Sequence, residues 1–179
     1  VEQYHVYWGT DNSSQIVVTS GVVQDSEYDP ADLTESGVYY LRIKGEDVSN
    51  NISDWYTFMY YQYDDTILNA PTISVVEFRD GRTITEQVWV TENMPFISWN
   101  IPEAPYAPIT TYNVYLDEIL LTSHSSLLTN YQFTSEISNG LHTIGVVAYT
   151  QAGVKGNTAN FEIWVDTTVP GTADILAIR

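Results

Sequence analysis

This chain of 179 residues has no cysteine, only six lysines and arginines, and no long apolar run. Each absence excludes something. Without cysteine no disulfide framework holds the chain together. Set against 23 aspartates and glutamates, the shortage of basic residues gives a net charge of −17. Such a surface repels phosphate backbones, which excludes nucleic acid as a partner. It attracts divalent cations or basic partners and favours solubility. No run is long enough to cross a bilayer as a helix, so direct membrane insertion of this segment is not expected. No stretch keeps a helical period over several turns, and no signal peptide is visible.

What remains is strand composition. Hydrophobic residues make up 44% of the chain, with fourteen tyrosines and five tryptophans. The apolar segments are short and rich in Val, Ile, Thr and Tyr. Strands are expected over 4–8, 15–19, 38–44 and 55–63, then over 72–78, 83–90, 96–99, 112–116, 119–122, 131–134, 141–149 and 161–165. Asp80-Gly81 signals a tight hairpin, and Trp89 reads as a core or cross-strand aromatic.

The chain also repeats itself. Gly37-Val38-Tyr39-Tyr40-Leu41-Arg42-Ile43 is answered by Gly140-Leu141-His142-Thr143-Ile144-Gly145-Val146, and Tyr4-His5-Val6-Tyr7 by Tyr112-Asn113-Val114-Tyr115. Tyr28 matches Tyr131, Asn51-Ile52-Ser53 matches Asn157-Thr158-Ala159, and Asp65-Thr66 matches Asp166-Thr167. A period of about a hundred residues is a small domain copied in tandem. Residues 71–111 precede the Tyr-x-Val-Tyr strand in the second copy, whereas almost nothing precedes it in the first. The expectation is therefore an all-β chain of antiparallel β-sandwiches. Residues 1–70 form one that lacks its first strands, 71–170 a complete one, and 171–179 the start of a further repeat or an exchanged strand. A chain out of phase with its own domains reads as a piece of a longer polypeptide.

Leu33, then Tyr39, with Leu41 and Ile43 on alternate positions, resembles the tyrosine corner of fibronectin type III domains. The second copy has His142 where the Tyr would stand. The run Ser138 to Val146 resembles the immunoglobulin-like variant common in large prokaryotic surface proteins. So do Phe96-Ile97-Ser98-Trp99, Tyr112 to Asp117, Gly156-Asn157 and Val165-Asp166-Thr167-Thr168-Val169-Pro170. The resemblance implies a non-catalytic structural or adhesive module at a cell surface or outside the cell, as in a stalk, surface layer or filament. The missing cysteine is usual in bacterial and archaeal surface proteins. Its partners in that setting are neighbouring domains, copies of itself, or surface glycans and proteins. The alternative is an accessory, carbohydrate-binding module of a secreted multidomain enzyme.

No residue set announces catalysis. His5, His124 and His142 are scattered and show no metal-binding spacing. His124 lies between Ser123 and Ser125 but outside any Gly-x-Ser-x-Gly elbow. His142 is expected to bond locally in place of the corner Tyr39. No cofactor is expected, with Ca2+ as the alternative: Asp65 and Asp166 are its candidate ligands, and an Asx turn is their other reading. Asn12 and Asn51 head glycosylation sequons. Tyr60, Tyr61 and Tyr63 could stack on sugars or simply cover the sheet. Ile175, Leu176 and Ile178 could complete the open first domain of a neighbouring copy by strand exchange.

Overall fold

The computed structural model describes residues 2–13 and 19–172. The chain divides into two compact units, Val1–Thr66 and Ile67–Arg179. The division falls a few residues before 70, because Leu68 is buried in the core of the second unit and its carbonyl accepts from Asn157 N–H at 3.0 Å. Every described element is a strand.

In the first unit, β1 (Gln3–Gly9), β2 (Gly21–Val23), β3 (Gly37–Glu46) and β4 (Tyr56–Tyr63) form one antiparallel sheet in the order β2-β1-β3-β4. The second unit has two sheets. A three-stranded one pairs β10 (Asn130–Gln132), β7 (Phe96–Trp99) and β5 (Ile73–Glu77). A five-stranded one runs β6 (Trp89–Val90), β12 (Lys155–Val165), β11 (Gly140–Thr150), β8 (Ile109–Leu116) and β9 (Ile119–Ser125). All pairs are antiparallel except β6 with β12, which run parallel.

The repeat is one sheet built twice. The order β9-β8-β11-β12 reproduces β2-β1-β3-β4, and the registers agree. Val6 faces Ile43 as Val114 faces Val146, and Gly37 faces Tyr63 as Gly140 faces Val165. Alternation then sends Tyr112, Val114, Ile144, Val146, Ala148, Ile163 and Val165 to the inner face. There they meet Val76, Ile97 and Trp99 of the smaller sheet in one core.

The smaller sheet has no counterpart among the described residues of the first unit. Its inner-face positions show this. Met59 and Tyr61 are 42% and 47% exposed, whereas Ile163, which stands where Tyr61 does, is fully buried. Tyr28 lies in a coil segment and, with Tyr4, Val6, Leu41, Ile43 and Phe58, lines a cleft of about 670 Å³.

Several sequence expectations shift. The segment 83–90 is extended only at Thr83, an isolated bridge to Glu77, and at Trp89–Val90. Gln87 takes a positive φ of 60° and breaks the strand. The Asp80-Gly81 turn closes a three-residue loop: Gly81 N–H donates to Phe78 O, and Gly81 sits at φ 85°, the left-handed position such loops reserve for glycine. Asn51 lies in the turn between β3 and β4, while Asn157 lies inside β12, so that pair of repeat matches does not hold in space. The expected strand at 15–19 falls largely outside the described residues.

Trp99 and Tyr112 join the two sheets edge to face, with ring centroids 5.5 Å apart. Neither the Tyr112 hydroxyl nor the Trp99 indole N–H has a hydrogen-bond partner, and burial pushes the Tyr112 hydroxyl pKa upward. A buried polar group without a partner costs about 1–3 kcal/mol. Tyr112→Phe keeps the ring and removes that cost, so it should raise the denaturation midpoint or leave it unchanged. A clear loss of stability in urea unfolding would show that the hydroxyl is satisfied in solution.

Candidate functional site

The second unit brings together the three residue types of a hydrolytic triad, and their geometry shows what they do instead. β8 and β9 are joined by the two-residue turn Asp117-Glu118, both at positive φ (49° and 67°). These are the dihedrals of a type I′ hairpin, and Asp tolerates them better than most residues. The turn lies against the start of β11, where Asp117 Oδ1 accepts from Thr143 N–H at 2.8 Å and Asp117 N–H donates to Thr143 O. Asp117 Oδ2 is 2.6 Å from His142 Nδ1. On the other side of the ring, His142 Nε2 is 3.2 Å from Ser138 Oγ and 2.9 Å from Ser138 O.

The carbonyl decides the chemistry. A carbonyl oxygen only accepts, so Nε2 carries a hydrogen and donates it to Ser138 O. A nitrogen already bearing that hydrogen cannot take the Ser138 hydroxyl proton, which a general base in a triad must do. The cluster is a corner lock. The first unit confirms the role: Tyr39 hydroxyl donates to Glu35 O at 2.7 Å, and Glu35 precedes Tyr39 by the same interval that separates Ser138 from His142. Tyr39 also stacks on Trp8 at 5.7 Å.

The other candidates are dispersed. His5 Nε2 lies 2.6 Å from Glu46 Oε2, which also accepts from Gln3. These bonds hold the Glu46 carboxyl below the usual glutamate value. His124 packs against Tyr131 at 5.6 Å, with its Nε2 buried and unpaired. The repeated Asx turns belong to Asp64 and Asp166: Asp64 Oδ1 accepts from Thr66 N–H, and Asp166 Oδ1 from Thr168 N–H. The sequence match therefore slips by one residue, since Asp65 instead accepts from Ser36 Oγ at 2.7 Å. Asp65 and Asp166 lie in different units, and among the described residues no three His, Asp or Glu side chains converge as metal ligands.

Asn12 and Asn51 are both exposed. The Asn51 side-chain amide donates to Asp47 Oδ2 at 2.9 Å. Tyr60 and Tyr61 are exposed on β4, and Tyr63 is half-buried near Asp65. Ile175, Leu176 and Ile178 lie outside the described residues.

Sequence reasoning missed the pairing of Asp117 with His142. Its signal was the Asp-Glu dipeptide between two alternating runs, where a two-residue turn fits. It also missed Trp164, whose ring lies 5.8 Å from that of Trp89, tilted by 60°, on the outer face.

The second unit is a two-sheet antiparallel β-sandwich, and the described residues of the first unit repeat its larger sheet. No family model matches the chain, and no curated protein does. Solved structures do. The fibronectin(III)-like modules of CbhA from Clostridium thermocellum are 13% identical, with a TM-score of 0.47, over 98% of this chain and 84% of that one. The FN1–FN3 domains of chicken CNTN1 are 16% identical, with a TM-score of 0.44, over 91% of this chain and 55% of theirs. The central fibronectin-III array of RIM-binding protein is 14% identical, with a TM-score of 0.35, over 94% of this chain and 59% of that one. The chain thus spans a little over half of the latter two. At these identities the likeness is one of fold.

Two outcomes follow from the corner lock. Tyr39→Phe should cost about 1 kcal/mol, the usual worth of one such bond, in urea unfolding of the intact chain. Asp117 is held below the ordinary aspartate value of 3.8: burial pushes it up, and the bonds from His142 and Thr143, with the His142 charge, outweigh that. A depressed native pKa stabilises fully above the unfolded value and loses its effect as the pH falls through the native one. Asp117→Asn should therefore be less stable than the parent at pH 7, and the gap should narrow below about pH 4. A gap that does not change with pH would remove the carboxylate from the lock.

Proposed function

We propose that the chain is a non-catalytic structural and adhesive module of an extracellular or cell-surface protein, of the stalk, surface-layer or filament kind. Neighbouring domains and further copies of itself are its partners in that role. One observation carries the reading. The chain segment that enters the second unit is tied directly to the strand by which it leaves. Asn157 N–H donates to Leu68 O, Gln87 N–H to Glu162 O, and Asp166 N–H to Val90 O, with β6 parallel to β12 between the last two.

These bonds lie across the strands. Tension along the chain loads them together in shear, so they resist as a group rather than opening one by one. The corner locks add to this, because Asp117 and His142 fasten a hairpin tip and a strand start to one point. The polar clusters of the second unit serve its architecture. The pair of exposed Trp89 with half-buried Trp164 favours the second reading, an accessory module with affinity for carbohydrate.

Single-molecule stretching of the intact chain checks the mechanical role. The second unit should give one discrete rupture with a contour gain of roughly 35 nm, from about 3.3–3.6 Å per extended residue. Extension without a force peak would sink it.

A further inference from the structure

The geometry points to a binding site for a neutral polysaccharide on the outer face of β11 and β12 in the second unit. This goes beyond the load-bearing role and rests on the carbohydrate reading above, although Asp117 of the corner lock also borders the site. The register pairs Leu141 with Trp164, Thr143 with Glu162, Gly145 with Asn160 and Val147 with Thr158, so all of these share the face opposite the core. At one end, Trp89 of β6 pairs with Trp164, their ring planes inclined at 60°. Trp89 is 55% exposed and Leu141 64% exposed.

The Leu141–Trp164 rung lies two outer-face rungs along the sheet from Gly145, where a groove of about 620 Å³ opens. Its floor is Gly145 and Val147, and Tyr115, Thr143, Thr158 and Asn160 stand around it. Gly145 makes the depression. A Cβ there would touch Tyr115 and Thr158 at 3.5 Å and Asn160 at 3.6 Å, so any side chain would fill the space.

This is a surface for an amphipathic, uncharged ligand. A sugar ring offers a C–H face that stacks on an indole and hydroxyl edges that bond to amides, hydroxyls and carboxylates. Asp117, Glu118 and Glu162 lie on or beside the groove against one cation, Lys155, which turns away phosphorylated, sulfated or uronic chains. A protein partner fits poorly. Three apolar side chains fall far short of the roughly 800 Å² per partner that a stable protein interface buries. Nor does core packing need the indoles here, since the core of this unit closes around Trp99 and Tyr112.

Affinity electrophoresis of the intact chain through gels containing hydroxyethylcellulose, xylan, galactomannan or mixed-linkage β-glucan tests the site, with heparin as the anionic comparison. At least one neutral polymer should retard the chain. Trp89→Ala and Asn160→Ala should each weaken that retardation at least tenfold while leaving the urea midpoint nearly unchanged. Asn160 is exposed and remote from the core, so its variant keeps the test valid if Trp89→Ala unfolds. Retardation by no neutral polymer, preference for heparin, or undiminished binding by the Asn160 variant overturns the proposal.

Discussion

An antiparallel sheet with apolar residues on one face is held up by whatever covers that face. The second unit states this constraint in full: Ile144, Val146, Ile163 and Val165 on the larger sheet are fully buried because Val76, Ile97 and Trp99 lie against them. The first unit repeats the larger sheet, strand order and register included, yet among its described inner-face residues only Val6 reaches the same burial. Backbone pairing is thus common to both copies, and side-chain packing differs. The hydrogen-bonded ladder sets the shape, while apolar contact between sheets supplies most of the stability.

The corner bond is a second constraint, met by two chemistries. Before β3 and β11 the chain turns sharply, leaving a backbone carbonyl that needs a donor. A phenol supplies it at Tyr39 and an imidazole at Ser138–His142. The exchange is not neutral. Tyr39 brings aromatic contact with Trp8, whereas His142 brings a second nitrogen, which recruits Asp117 and with it the β8–β9 turn. One copy fixes its corner by stacking, the other by a charged network that reaches a neighbouring strand. A Ser-His-Asp arrangement arises as a by-product, and the direction of one hydrogen bond removes its catalytic meaning.

Much of this could be read in the residues. Alternation in Tyr112-Asn113-Val114-Tyr115 and in the run from Leu141 gave strands, faces and the repeat, because period-two burial writes itself directly into sequence. The place of His142 at the corner was legible for the same reason: it stands in register with Tyr39. Three things were not. The break at Gln87 depends on a backbone dihedral that its residue type does not announce. The Asp65 match failed because two adjacent aspartates, Asp64 and Asp65, are equivalent in sequence, and only the hydrogen bond to Thr66 separates them. The outer groove joins the β11–β12 hairpin to Tyr115 of β8 and, at its end, Trp89 of β6, which lie far away in sequence, so no local pattern contains it.

β4 is an edge strand of eight residues, Tyr-Thr-Phe-Met-Tyr-Tyr-Gln-Tyr, without a charge or a proline to blunt it. Repulsion between molecules that each carry a formal charge of −17 opposes contact between two such edges. That repulsion reaches only about 10 Å at 0.1 M salt and about 3 Å at 1 M. Colloidal behaviour is therefore tied to ionic strength: added salt leaves the buried core of the second unit untouched while it lowers the barrier to contact between tyrosine-rich edges.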